Sequence, residues 1–212
     1  MWSKLSLMTL AGSVLVASCT SLVEEPATLQ QVTDSELLAS PASSIDPNAR
    51  KSVEVAYFER FTNQLAQLDE NGDYTLNLPA YFPGTGVGNS SHMGKAYTFI
   101  NQYASFGPSG LGTVGAPVTQ FFGSQLAEMG IVVNKIEVSS ITTDGKGNSI
   151  WFKNIQNTVS QSSPERSDFV TDVEIVGGTG KFAGASGTAV VNGYFNPLNG
   201  QGMSTMNGKL AY

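Results

Sequence analysis

Residues 168–195 read DFVTDVEIVGGTGKFAGASGTAVVNGYF, and this run decides the fold. Its first part alternates. Phe169, Thr171, Val173 and Ile175 fall on one side, and Asp168, Asp172 and Glu174 fall on the other. Period two, with one apolar and one charged side, marks a strand that has one face on a core and one in water. The three acids share the wet face, so solvation accounts for them better than a calcium site does. Residues 188–195 form a further strand by composition. Asn196-Pro197-Leu198-Asn199-Gly200 then turns the chain into a last strand over 201–212. Between the strands, Gly177, Gly178, Gly180, Gly184 and Gly187 surround Thr179, Lys181 and Phe182. Glycine accepts positive φ and close backbone approach, so the run predicts a tight turn and re-entry into the sheet, with Phe182 as its apolar plug.

The same grammar extends upstream. SIWFKNIQNTV (149–159) and IVVNKIEVSSITT (131–143) flank Asp144-Gly145-Lys146-Gly147-Asn148, which predicts a β-hairpin with Ile136, Val138 and Ser140 on one face. AYTFINQY (96–103) and YTLNLPAYF (74–82) are also strand-like. Short strands in series, separated by turn signals, predict an all-β sandwich or barrel. Residues 118–129 suit a short helix or a lid, and the Gly-rich stretch 107–117 before them a mobile loop. Residues 52–68 satisfy two periods at once. Val53, Val55 and Tyr57 alternate as in a strand, whereas Val53, Tyr57, Phe61, Leu65 and Leu68 recur at helical spacing behind an Asp46-Pro47 start signal. Strand and short N-terminal helix both remain open there.

The glycines do not bind phosphate by any known pattern. A phosphate loop needs Gly where Ile175 stands and Ser or Thr where Phe182 stands. A dinucleotide fingerprint needs an acid about 20 residues downstream, and none follows Glu174. The stretch instead resembles the GGTGRFxGAxG segment of the allene oxide cyclase-like, or dirigent-like, β-barrels. Gly88-Asn89-Ser90-Ser91-His92-Met93-Gly94-Lys95 is similar to a G-x-x-T-H-L-G-R segment of small exported bacterial proteins of that type. The Asp144 turn sits where those proteins carry Asn-Gly-Asp. The resemblance implies a single antiparallel barrel of about eight strands, a size that either fills its interior or holds one small ligand. It also implies isomerase or cyclase chemistry like that of the plant relatives. No catalytic residue is carried over, because no motif aligns one.

The whole chain has 212 residues, of which 13% are charged and 41% hydrophobic, with a formal charge of −6. That is enough apolar material for a core. The acidic balance argues against nucleic acid as a partner. One Cys and one His leave no disulfide framework and no Cys- or His-rich metal cluster, so neither a metal nor a cofactor is expected.

The start of the chain, MWSKLSLMTLAGSVLVASCT, reads as an address. Lys4 precedes an apolar run too short to span a hydrocarbon core of about 30 Å. Val16-Ala17-Ser18-Cys19 resembles the lipobox of bacterial lipoproteins. That implies cleavage before Cys19, diacylglycerol on its sulfur, and the lipid bilayer as a partner. Thr20 in place of Asp points to the outer membrane of the cell envelope. Residues 20–49 hold five acids, no Lys or Arg, and Pro26, Pro41 and Pro47, a composition that suits a tether spanning about 30 Å. The expected organisation is a signal peptide over 1–18, a lipidated acidic tether over 19–50 and a barrel domain over 51–212.

Candidate chemistry in the domain is sparse. His92 suits a structural hydrogen bond more than catalysis, since no nucleophile motif lies near it. Ser90 and Ser91 lack the G-x-S-x-G elbow. Trp151, Phe152 and Tyr194, with Phe195 and Tyr212, are candidates to line an apolar ligand cavity. Three functions compete: a non-catalytic lipoprotein whose barrel binds a small apolar ligand or a partner, an isomerase or cyclase, and a surface-interaction module using residues 107–129. A pocket with convergent polar groups would favour the second, and a dry, filled interior the third.

Overall fold

The computed structural model describes residues 53–107 and 110–212. The signal segment with Val16, Ala17 and Ser18, and the tether with Cys19, lie outside the described residues.

Eight antiparallel strands close into a barrel. Numbered along the chain, they are β1 (Glu54–Leu65), β3 (Gly84–Ser90), β4 (Gly94–Ile100), β7 (Ser140–Thr143), β8 (Ser149–Ser163), β9 (Arg166–Thr179), β10 (Ser186–Phe195) and β11 (Gln201–Ala211). Their order round the wall is β1-β11-β10-β9-β8-β7-β4-β3. The closing seam is β1 against β3, from Glu59 opposite Ser90 to Leu65 opposite Gly84. Closure leaves no edge strand in the wall to pair with another chain.

β1 settles the choice left open over 52–68. It is a strand, with Tyr57, Glu59, Phe61 and Asn63 buried and their neighbours turned outward. In β9 the expected sides hold: Thr171, Val173 and Ile175 are buried, while Asp172 and Glu174 are exposed. The glycine run ends β9, makes one 3-10 turn at Gly180–Phe182, and re-enters as β10. Gly180 has φ +61°, and a Cβ there would lie 2.2 Å from Asn148 Oδ1. Phe182 is fully buried among Tyr57, Ile150, Ala185 and Leu210, filling one end of the barrel. Thr179 Oγ1 donates to Gly147 O at 2.7 Å, which ties the run to the Asp144 turn, and Lys181 Nζ donates to His92 O at 2.6 Å, which ties it to the turn between β3 and β4.

Several strand expectations fail, each for a local reason. Residues 96–103 split into β4 and β5 (Gln102–Gly107) at Asn101, which is buried. Its Nδ2 donates to Pro117 O at 2.9 Å and anchors the next segment. β5 leaves the barrel and forms a three-stranded sheet with β2 (Ala80–Tyr81) and β6 (Gly110–Gly115). Thus only two residues of 74–82 are strand, and the expected mobile loop of 107–117 is largely one arm of a hairpin. Residues 131–139 are not strand. Val138 is buried, but Ile136 and Val132 are exposed.

The segment before them is α1 (Thr119–Glu128), and it explains that outcome. With Val118 and Leu126 buried, α1 joins Ile131 and Val138 in covering Phe99, Ile141 and Trp151 on the outer wall. Here β7 and the start of β8 are buried on both faces. At the start of β8 the sequence is therefore a continuous apolar run, Ile150-Trp151-Phe152, instead of an alternating one.

Candidate functional site

The barrel is filled at the Phe182 end and hollow above it. A cavity of about 160 Å³ lies inside. Phe61, Ile100, Phe152, Val173, Phe195 and Met206 contribute apolar wall, and Leu65, Leu78 and Phe82 border the cavity near the C-terminal end of β1. Polar groups converge on it too: Glu59 and Asn63 from β1, Thr98 from β4, Thr142 from β7, Thr171 from β9 and Ser204 from β11.

Glu59 is the one ionisable side chain in this lining. The strand alternation that buries Tyr57 and Phe61 also carries Glu59 inward, where it is 2% exposed. The Tyr57 hydroxyl donates to Glu59 Oε1, and Ser90 Oγ donates to the Tyr57 hydroxyl at 3.2 Å. Burial pushes the Glu59 carboxyl up to about 7, against the downward pull of the Tyr57 and Thr142 hydroxyls. Burial and the neighbouring carboxyl push Tyr57 well above the ordinary tyrosine range. No Lys, Arg or His is among the lining residues to pair with the acid. A carboxyl that changes protonation near neutrality at the base of a cavity can exchange a proton with a bound molecule or pair with a cation.

Asn63 shows how the wall makes room for polar groups. Its Nδ2 donates to Ser204 Oγ at 2.9 Å, and its Oδ1 has no partner. Gly86, facing it from β3, has no side chain. A Cβ there would sit 2.3 Å from Asn63 Oδ1 and 2.7 Å from Thr98 Cγ2.

The residues singled out in the sequence are divided by the wall. Phe152 lines the cavity, and so does Phe195. Trp151 and Tyr194 do not, because each is one residue out of phase with an inward neighbour. Trp151 packs outside against the α1 layer, with Nε1 donating to Ser149 Oγ at 2.8 Å. Tyr194 lies outside under Arg166, whose guanidinium is 4.0 Å from the ring centroid. Tyr212 packs on Phe182 and His92. The His92 ring bonds through Nε2 to Ala56 O at 2.8 Å. Glu59 and Asn63 went unnoticed in the sequence. The available signal was their place in phase with Tyr57 and Phe61, two polar residues on the apolar side of a strand.

Among the described residues, no three His, Cys, Asp or Glu side chains converge to hold a metal ion. Fold and cavity together define a closed antiparallel β-barrel with a small, partly polar interior. No family model, no curated protein and no solved structure was found to match the chain.

Proposed function

We propose that this protein is an envelope lipoprotein, anchored in the outer membrane through acylated Cys19, whose barrel binds one small, largely apolar molecule. The observation that carries this is the cavity of about 160 Å³ left inside a closed eight-stranded wall. A barrel of this size can be filled completely by its side chains, so a retained hollow suits an occupant. The lipobox-like Val16-Ala17-Ser18-Cys19 and the acidic stretch after it support the anchor. Acyl chains contribute about 0.8 kcal/mol per buried CH₂, which makes two or three chains a firm attachment. The test is the intact mass of the protein extracted from native membranes, with mass spectrometry of small molecules released from it. An acylated mass starting at Cys19 and a stoichiometric released molecule are expected. A free thiol in an uncleaved chain removes the anchor, and an empty barrel removes the binding role.

A second reading, an isomerase or cyclase of the allene oxide cyclase-like type, is favoured by the buried Glu59 carboxyl and its Tyr57 partner. Such a carboxyl can move a proton at a bound unsaturated epoxide while water is excluded. Turnover of such an epoxide that is lost in Glu59→Gln, with binding kept, is the expected result for catalysis. Equal rates with and without protein oppose it.

A further inference from the structure

We infer that the occupant is an amine: a ring-sized apolar body carrying a protonated nitrogen that docks on the Glu59 carboxylate. This deepens the binding role proposed above and rests on it.

The first argument is charge. The cavity lining holds one carboxyl and no Lys, Arg or His. A buried charge is costly unless paired. A carboxylate or phosphate ligand would add a second negative charge beside Glu59 with no cation to meet either. An ammonium supplies the missing partner. The second argument is hydrogen bonding. Asn63 Oδ1 is a buried acceptor without a partner, and the Glu59 carboxylate, which receives the Tyr57 hydroxyl on one oxygen, has acceptor capacity left over. An ammonium carries three donors and no acceptor, whereas a carboxylate carries only acceptors. The third argument is size. About 160 Å³ is close to the roughly 150 Å³ of an engineered cavity that takes benzene. The body is therefore about one aromatic ring with a short arm, packed among Phe61, Phe152 and Phe195.

Docking requires Glu59 to be ionised. The groups that face it are Tyr57 on its own strand and Thr142 from β7, with Ser90 of β3 behind Tyr57. His92 stacks on the Tyr57 ring at 6.1 Å between centroids. The hydroxyls that touch Glu59 carry no charge to hold the carboxylate ionised without a ligand, so amine uptake releases a proton below neutral pH and weakens as the solution is acidified.

Four probes with one shared body test this by calorimetry on the full-length protein: phenethylamine, phenethyl alcohol, 3-phenylpropionate and ethylbenzene. At pH 8 phenethylamine is expected to bind about tenfold or more tighter than the alcohol, a gap of about 1.4 kcal/mol, and 3-phenylpropionate to be the weakest. The affinity of phenethylamine is expected to fall by about tenfold or more at pH 5, and Glu59→Gln to remove the preference for the amine while ethylbenzene binds as before. If alcohol or hydrocarbon binds as tightly as the amine in the unmodified protein, the amine assignment is overturned and the cavity role stands. If none of the four binds, both fall. The probe series needs no variant, so a misfolded Glu59→Gln leaves the test intact.

Discussion

Glu59→Gln turns the buried carboxyl into a measurable stability effect. In the folded protein burial raises this group from the ordinary 4.5 to about 7. Below pH 4.5 it is protonated in both folded and unfolded chains and imposes no penalty. As the pH rises from there, the unfolded chain ionises freely while the folded chain holds its proton, so stability falls until the pH passes 7. Two and a half pH units at 1.36 kcal/mol each give a loss of about 3 kcal/mol between the two limits. Gln cannot ionise, yet its amide oxygen can still accept the Tyr57 hydroxyl. The stability of Glu59→Gln relative to the parent is therefore expected to grow by about 3 kcal/mol from pH 4.5 to pH 8. Urea unfolding at both pH values, with equal dependence on denaturant, reads this difference directly. A difference that stays constant with pH, or that shrinks on alkalinisation, would refute the claim that Glu59 is buried without a cation.

Tyr57→Phe removes the hydroxyl that pulls the Glu59 carboxyl downward. The loss of stability should then start at the same pH, which the unfolded chain sets, but continue to a higher pH and end larger, as read in the same titration. Gly180→Ala places a side chain at φ +61° against Asn148 Oδ1. It should cost at least about 1–2 kcal/mol for the left-handed backbone alone, measured by thermal or urea unfolding. Trp151→Ala and Phe152→Ala should each cost about 3–5 kcal/mol but differ in binding. Only Phe152→Ala should change the affinity for phenethylamine, because Trp151 lies on the other side of the wall. Equal effects on binding would contradict the register of β8.

β1 shows where the sequence was ambiguous. Every second step of a period-two strand is four residues, which is also a helical spacing. Tyr57, Phe61 and Leu65 therefore fit both patterns. Glu59 and Asn63 would have decided the matter, but inward-facing polar residues break the binary pattern that identifies a strand. They break it at the candidate site, where a buried carboxyl and amide face a cavity. The β7–β8 region misled for the opposite reason. The helix that covers its outer face makes Ile150, Trp151 and Phe152 all buried, so composition could not say which of them points inward.

By itself the sequence determined the all-β class, the inner and outer sides of β9, and the glycine turn plugged by Phe182. These follow from local periodicity and from φ values that favour glycine, both properties of neighbouring residues. Only the tertiary structure decided that β1 closes the wall, that Asn101 diverts β5 out of it, and that Glu59 meets Tyr57 and Thr142 at a hollow. Those facts depend on pairings between strands far apart in the chain, such as Glu59 with Ser90 and Phe61 with Ser204. No window of adjacent residues contains them.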